Sequence, residues 1–298
     1  MKRSSSFFGK LKNIGSKRSL IQLFFLIIQN PFISNFLTGK PYSGPTKTFC
    51  APGLHCYSCP SMAFGCPLGT LQYVIKYASM IPFFALGTLS AAGAILGRAT
   101  CAYVCPFGFF QEILYSISPW KNIEAKLPQK FRYIKWFNLF FFVLLIPACG
   151  LAQGFCAYVC PSGLIVAGIP IIAANSGLRA SIGLTFWWKV ALTIIFVIYF
   201  MREKRAFCRY ICPLGLILGF FNRISLLQIK LNQNKCVSCS ACKKHCPMGI
   251  DPVKEVNSIE CIKCGDCVRV CPVNKKNIYP LAVFRNPYPN PSPSRPGS

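Results

Sequence analysis

Two cysteine-rich segments near the C-terminal end have the spacing of iron–sulfur ligands. Residues 236–247 read C-V-S-C-S-A-C-K-K-H-C-P and residues 261–272 read C-I-K-C-G-D-C-V-R-V-C-P. Both match the C-x2-C-x2-C-x3-C-P run, in which three cysteines bind one [4Fe-4S] cubane and the fourth binds the other. A zinc ribbon also uses C-x2-C pairs, but two such runs, each ending in Cys-Pro, disfavour it. The predicted ligands are Cys236, Cys239, Cys242 and Cys271 for cluster 1, and Cys261, Cys264, Cys267 and Cys246 for cluster 2.

A shorter cysteine motif recurs in the remainder of the chain. It reads C-A-Y-V-C-P-F-G at 101–108, C-A-Y-V-C-P-S-G at 156–163 and C-R-Y-I-C-P-L-G at 208–215. A looser copy reads C-Y-S-C-P at 56–60, followed by C-P-L-G at 66–69. Cysteines four apart share one face of a helix, so each motif offers two thiolates. A [4Fe-4S] cluster takes four, and the motifs should therefore act in pairs.

The elements that position these motifs are predicted to be membrane helices. The chain has 298 residues, of which 53% are hydrophobic and only 13% charged, which is too apolar for an ordinary soluble domain. A span needs about 20 mostly apolar residues. Four stretches qualify: 20–37, 73–96, 134–151 and 184–201. Three shorter apolar runs are predicted as interfacial helices: 107–117, 163–174 and 214–221.

The basic residues set the predicted orientation. There are 33 Lys and Arg against 7 Asp and Glu, and 28 of the 33 fall on one side of the four-span scheme. Basic loops stay in the cytoplasm, so both termini and the ferredoxin segment should be cytoplasmic. The asymmetry accounts for the basic charge without a nucleic-acid partner. The basic N-terminus resembles a signal peptide, but no small-residue cleavage site follows residue 37, so we predict a retained first span.

This topology pairs the motifs. Those after spans two and four lie on the cytoplasmic side and should form an inner cluster, held by Cys101, Cys105, Cys208 and Cys212. Those after spans one and three lie opposite and should form an outer cluster, held by Cys156 and Cys160 with two of Cys56, Cys59 and Cys66. The halves would be parallel repeats about an axis along the membrane normal. Cys50 is left open between ligand and spare thiol, and Cys149 stands alone.

Together the C-x3-C-P pairs and the trailing ferredoxin segment resemble the membrane polyferredoxins of the NapH-type quinol dehydrogenase group. NosR-type and CcoG-type proteins share these modules. The resemblance runs from about residue 70 onward, whereas the segment H-C-Y-S-C-P-S-M-A-F-G-C-P-L-G at 55–69 departs from the simple motif. It implies a bacterial or archaeal cytoplasmic membrane protein, with quinone or quinol and a redox partner protein on one or both sides of the membrane.

Other cofactors lack ligands in the sequence. The two histidines, His55 and His245, lie outside the predicted spans, and C-x-x-C-H is absent, so neither a bis-histidine haem nor a c-type haem is expected. No dinucleotide-binding or Walker motif is present. Lys76 and Lys189 fall inside predicted spans and are candidates to contact a quinone or a cluster.

The predicted organisation is mainly α. A basic N-terminus (1–19) precedes a four-helix integral membrane domain with interfacial helices (20–229). An α+β two-cluster ferredoxin domain of the bacterial type (230–279) and a Pro-rich tail (280–298) follow. The expected function is to relay electrons between the quinone pool or a cytoplasmic donor and a partner redox enzyme. Four [4Fe-4S] clusters are expected, two of them in the ferredoxin segment, in a subunit of an oxidoreductase such as a quinol dehydrogenase. The alternative is assembly or regulation of a metalloenzyme, as in CcoG-type proteins.

Overall fold

The computed structural model describes residues 17–77, 83–119, 127–180, 182–229, 236–272 and 282–283, and these are mainly helical. The first helices are α1 (Lys17–Gln29), α2 (Asn35–Thr38), α3 (Pro67–Tyr77), α4 (Phe83–Ile95), α5 (Ala99–Tyr103) and α6 (Pro106–Ile117). The next are α7 (Gln129–Ala148), α8 (Phe155–Val159), α9 (Pro161–Ala174), α10 (Ser176–Arg179), α11 (Leu184–Arg202), α12 (Ala206–Tyr210) and α13 (Pro213–Phe220). The last are α14 (Ala241–Lys244), α15 (Pro252–Glu255) and α16 (Asp266–Val270).

A short antiparallel pair accompanies the helices. Strand β1 (Leu227–Gln228) pairs with β2 (Ala282–Val283), and Leu227 lies opposite Val283. This pairing brings two residues of the predicted Pro-rich tail back to the entrance of the ferredoxin segment. The other residues of that tail, and residues 1–16 of the predicted basic N-terminus, lie outside the described residues.

Within the part of the chain that the structure describes, two helices are long and apolar enough to cross a membrane. They are α7, with 20 residues, and α11, with 19. They correspond to the third and fourth predicted spans, and they indicate that the protein associates with a membrane. The three shorter apolar runs form helices α6, α9 and α13, whereas their place at the membrane interface stays a prediction.

The first two predicted spans differ from the structure. Helix α1 ends at Gln29, just before Asn30 and Pro31, because the residue before a proline disfavours the helical conformation and proline lacks the N–H to continue it. The stretch 73–96 comprises α3 and α4, which pack against each other. Residues 78–82 between them lie outside the described part of the chain. The prediction of a single span over 73–96 was therefore wrong, because this apolar stretch contains the end of α3 and the whole of α4.

Helix α1 has the polarity of a helix that faces lipid. The buried side chains of Gln22 and Gln29 point inward and donate hydrogen bonds to the carbonyl oxygens of Ala102 at 2.8 Å and Val104 at 3.1 Å. Apolar side chains face outward instead, and Phe24 is 59% exposed. A helix of a soluble protein would show the reverse arrangement, so this pattern supports membrane association.

A phenylalanine cluster forms the centre of the core. Phe207 packs edge-on against Phe107, with ring centroids 5.2 Å apart, and its ring lies 6.5 Å from that of Phe155. Cysteines from the repeated motifs and from the ferredoxin segment border the same continuous core. The membrane helices and the ferredoxin segment thus share one packed interior.

Buried ion pairs attach the ferredoxin segment to the helices. Arg98, fully buried, pairs with Glu260 at 3.0 Å, and the same carboxylate receives the ammonium group of Lys135. Arg18 of α1 contacts Asp266 at 3.3 Å. These pairs hold the segment close to the repeated motifs.

Like Glu260, Glu112 of α6 binds two cations. Arg205 approaches it at 2.8 Å, and Arg18 also contacts it. Burial disfavours the charged carboxylate, but the guanidinium groups of Arg205 and Arg18 outweigh burial and lower the pKa of Glu112 to about 2. The carboxylate is therefore charged at neutral pH and compensates the buried Arg205 and the partly buried Arg18.

Glu112→Gln should destabilise the protein by about 3–5 kcal/mol, because it leaves the buried guanidinium of Arg205 uncompensated. Thermal unfolding of the detergent-solubilised protein under anaerobic conditions measures the effect. Glu255→Gln is the matched control, since Glu255 is exposed and its loss should change stability by no more than about 0.5 kcal/mol. Equal stability of the two variants would contradict the role assigned to Glu112.

Candidate metal centres

Every repeated motif ends at the start of a helix. Its last cysteine directly precedes the helix, and proline occupies the first helical position, where its missing N–H is not needed. The four cysteines and their helices are Cys66 with α3, Cys105 with α6, Cys160 with α9 and Cys212 with α13. The free N–H groups of a helix N-terminus favour negative charge, so this position suits a thiolate.

The glycine of each Cys-Pro-x-Gly sequence completes this arrangement. Cys212 Sγ accepts a hydrogen bond from the Gly215 N–H at 3.4 Å. In the other three motifs burial raises the pKa of the cysteine, and the equivalent glycine N–H opposes this rise: Gly69 for Cys66, Gly108 for Cys105 and Gly163 for Cys160. A side chain is excluded at Gly108, since an added methyl group would lie 2.8 Å from the Cys101 carbonyl oxygen.

The structure brings together the four cysteines predicted for the inner cluster. All four are buried. Burial and then the neighbouring charge of Cys208 raise the pKa of Cys101 to about 12 and that of Cys105 to about 11. Burial and the charge of Cys208 also raise the pKa of Cys212, and the charges of Cys101 and Cys105 raise it further. We call Cys101, Cys105, Cys208 and Cys212 the inner site.

Two arginines join the halves of the inner site reciprocally. Each lies three residues before the first cysteine of its own motif and binds the backbone of the other motif. Arg98 donates to the carbonyl oxygen of Cys208 at 2.6 Å, and Arg205 donates to that of Cys101. Both side chains are fully buried. This exchange fixes the two distant motifs against each other.

A second group collects Cys56, Cys66, Cys156 and Cys160, which we call the outer site. All four line one cavity of about 760 Å³. Burial and then the charge of Cys160 raise the pKa of Cys56 to about 11, and Cys160, Cys66 and Cys56 all raise that of Cys156.

Cys59 and Cys50 have other neighbours. Cys59 Sγ lies 3.4 Å from Ser61 Oγ and does not line the outer cavity. Cys50 Sγ lies 3.7 Å from Thr70 Oγ1. Among the three cysteines that the sequence left open, the geometry favours Cys56 and Cys66 over Cys59. Cys149 is exposed.

Basic side chains surround the outer site. A methyl group added at Gly163 would lie 3.4 Å from Lys189 Nζ and 3.7 Å from Cys56 Sγ, which places this ammonium group beside the thiol. Lys47 also lines the cavity and donates to the Cys59 carbonyl oxygen at 3.4 Å. His55 is buried in the wall, and burial lowers its pKa to about 4, so its ring is neutral. Lys76 lies elsewhere, with its Nζ 3.4 Å from the Leu151 carbonyl oxygen.

In the ferredoxin segment, the structure brings the predicted cluster 2 cysteines together more clearly than the predicted cluster 1 cysteines. The cluster 2 cysteines line one small cavity: Cys246, Cys261, Cys264 and Cys267. In the cluster 1 set, Cys236 and Cys239 are exposed, and the charge of Cys236 adds to the raised pKa of Cys242. Cys271 follows helix α16, which packs against helix α14, the carrier of Cys242. His245 is exposed.

These donor sets fit iron–sulfur clusters. Each buried site offers four thiols, with N–H donors directed at some of the sulfurs, and the outer site has a cavity large enough to hold a cubane. Within the described residues, no group of three or more His, Cys, Asp or Glu converges on a single metal ion. The four thiolates of a [4Fe-4S] cluster lie farther apart than the ligands of a single metal ion, because each binds a different iron.

The sites follow one another through the core. The Leu54 N–H lies 3.3 Å from Cys105 Sγ of the inner site, and Leu54 is only two residues from Cys56 of the outer site. On the other side, the Tyr103 hydroxyl, from between the inner-site cysteines, lies 3.4 Å from the Cys264 carbonyl oxygen. The inner site therefore lies between the outer site and the cluster 2 cysteines.

The motif pattern left four functional side chains unrecognised. Gln111 donates to Cys208 Sγ and Gln72 donates to Cys156 Sγ, each at 3.3 Å. Arg98 and Arg205 were counted only as charges for orientation. A repeat signal was present in the sequence, because the glutamines stand six residues after Cys66 and Cys105, and both arginines begin an R-A-x-C sequence.

Comparison with protein families identifies iron–sulfur domains in this chain. A family described as a 4Fe-4S binding domain matches residues 77–124 and again residues 184–232. Cys101 and Cys208 each stand 24 residues after the start of a match, which makes them equivalent positions of one repeat. A 4Fe-4S dicluster domain matches residues 228–272. No solved structure matches the chain.

Several curated proteins are similar over about half of the chain. An uncharacterized protein of Methanocaldococcus jannaschii is 31% identical over 52% of this chain and 61% of its own length. The putative electron transport protein YccM of Escherichia coli is 27% identical over 55% of this chain and 46% of YccM. The regulatory protein NosR of Pseudomonas aeruginosa is 27% identical over 55% of this chain and 22% of NosR. The chain thus spans about three fifths of the Methanocaldococcus jannaschii protein and less of the other two.

Cys66→Ser should remove one [4Fe-4S] component, lowering iron by about four atoms per chain, because Cys66 lines the outer site. Cys59→Ser should retain that component, since Cys59 contacts Ser61 instead. Iron analysis and EPR of the anaerobically purified variants measure both. Loss of the component in Cys59→Ser and its survival in Cys66→Ser would show that Cys59, and not Cys66, is a ligand of the outer cluster.

Proposed function

We propose that this chain, a 4Fe-4S ferredoxin-type membrane protein related to YccM and NosR, carries electrons between a membrane quinone and a redox partner protein. It would do so through four [4Fe-4S] clusters. When bound, such clusters supply one-electron transfer at potentials that depend on their surroundings. The residues of the chain hold the clusters, compensate their charge and set their order.

The observation that supports the proposal is the continuity of three of the four cysteine groups. Cysteines of the outer site, the inner site and the cluster 2 group border one core. The Leu54 N–H lies at hydrogen-bond distance from Cys105 of the inner site, and Leu54 also lines the outer cavity. The Tyr103 hydroxyl lies at hydrogen-bond distance from the Cys264 carbonyl oxygen of the cluster 2 group. A protein that only stored clusters would not need this serial arrangement.

The outer end suits an apolar ligand with polar oxygens. The cavity there has a volume of about 760 Å³, which falls in the range of pockets for small molecules. Apolar side chains such as Ile171 line it together with Tyr73 and Lys189. The ring of a quinone or quinol would occupy this cavity beside the cluster, with Lys189 as a donor to its carbonyl oxygen.

The opposite end suits a protein partner. Cys236 and Cys239 are exposed, and Val237 between them is 63% exposed. A cluster held there would lie near the surface, where a partner can approach it. We place this end in the cytoplasm of a bacterial or archaeal cell, with both termini inside, on the strength of the Lys and Arg asymmetry.

Cys105→Ser and Cys212→Ser should each remove the same inner EPR component, and the double variant should lose little more, because groups that share one site are not additive. The protein, reconstituted in liposomes with a long-chain menaquinone and reduced beforehand with dithionite, should then fail to reoxidise its ferredoxin clusters through the quinone. Rapid-freeze EPR follows this reoxidation.

Cys149→Ser is the control, since Cys149 is exposed and outside both sites, and it should leave the reoxidation unchanged. Reoxidation at the wild-type rate in Cys105→Ser and Cys212→Ser would contradict an electron path through the inner site. That result would favour a role in assembly or regulation.

A further inference from the structure

Two buried glutamines make the same set of contacts at the inner and outer sites. Gln111 Nε2 donates to Cys208 Sγ at 3.3 Å, and Gln111 Oε1 accepts the N–H of Phe207 at 3.1 Å. Gln72 Nε2 donates to Cys156 Sγ at 3.3 Å, and Gln72 Oε1 accepts the N–H of Phe155 at 3.0 Å. In both cases the N–H belongs to the phenylalanine that precedes the cysteine.

The third contact is also shared. The second amide hydrogen of each glutamine is directed at the carbonyl oxygen four residues earlier, that of Phe107 for Gln111 at 3.4 Å and that of Leu68 for Gln72 at 3.1 Å. Both side chains are fully buried. The backbone N–H can donate only to the amide oxygen, so the amide orientation is fixed and its nitrogen must face the sulfur.

The position of the glutamines is selective. Each glutamine stands six residues after the last cysteine of the first motif of its site, Cys66 or Cys105. Its side chain reaches a cysteine in the second motif of the same site. The equivalent positions after Cys160 and Cys212 are Val166 and Leu218. At each site, one glutamine amide therefore bonds to one sulfur of the facing motif.

We propose that Gln72 and Gln111 set the reduction potentials of the outer and inner clusters. An N–H group directed at a ligand sulfur stabilises the added negative charge of the reduced cluster, so each amide makes its cluster easier to reduce. The inference rests on the proposed presence of clusters at both sites. It assigns the glutamines a role in tuning the clusters, in addition to positioning the cysteine-bearing turns.

Redox-titrated EPR of the full-length protein tests this proposal. In Gln111→Leu the inner component should fall in potential by about 59 mV, which corresponds to a tenfold change in its one-electron equilibrium, while the outer and ferredoxin components stay unchanged. In Gln72→Leu only the outer component should move. The component that disappears in Cys212→Ser identifies the inner cluster, and the one lost in Cys66→Ser identifies the outer cluster.

Gln29→Leu is the matched control. Gln29 is a buried glutamine that donates to the Val104 carbonyl oxygen within the inner motif but contacts no sulfur, so all potentials should remain at the wild-type values. An equal shift in Gln29→Leu and Gln111→Leu would overturn the proposal, because it would show a general effect of losing a buried amide.

Gln111→Met covers the case in which the leucine variant loses its cluster. It preserves the length of the unbranched side chain but removes the N–H donor at the sulfur. The potential of the inner component should again fall. An unchanged or raised potential with full iron content would refute the tuning role, whereas the absence of inner and outer signals in the wild-type protein would refute the proposed clusters themselves.

Discussion

Thiolates inside an apolar core are the constraint on which this structure depends. A buried charge without compensation is strongly unfavourable, and here burial raises the pKa of cysteine after cysteine. The chain compensates with several devices. Helix N-termini and glycine N–H groups face the last cysteine of each repeated motif, and cations such as Lys189 lie next to the thiols. The Cys-Pro-x-Gly sequence is the smallest unit that provides the N–H donors, which explains why it recurs.

The inner and outer sites are variations on one plan. Each joins two motifs, with a phenylalanine before the first cysteine of its second motif and a glutamine that bonds to that cysteine. They differ in their cations. Fully buried arginines, each paired with a carboxylate, clamp the inner site, whereas the outer site has lysines beside an open cavity. A closed site suits a relay inside the protein, and an open site suits exchange with a ligand.

Local patterns in the sequence predicted the chemistry better than the architecture. The C-x3-C-P spacing predicted that the motifs act in pairs, because a cluster needs four ligands. The proposed topology, and not the spacing, predicted that Cys101 and Cys208 lie together. Hydropathy failed at 73–96, since an average over apolar residues cannot detect that α3 and α4 are separate helices. The roles of Gln72 and Arg98 could not be recognised from the sequence either. The role of a buried polar side chain depends on its partner, and these partners lie 84 and 110 residues away along the chain. The choice among Cys56, Cys59 and Cys66 likewise needed the position of Ser61 and of the cavity.

The central claim is that the repeated motifs hold clusters in addition to those of the ferredoxin segment. Iron and acid-labile sulfide, measured per chain on anaerobically purified protein, test it most directly. Four [4Fe-4S] clusters predict about sixteen iron and sixteen sulfide atoms per chain. A value of about eight of each would mean that only the ferredoxin segment is loaded, and it would contradict the assignment of the inner and outer sites as cluster ligands.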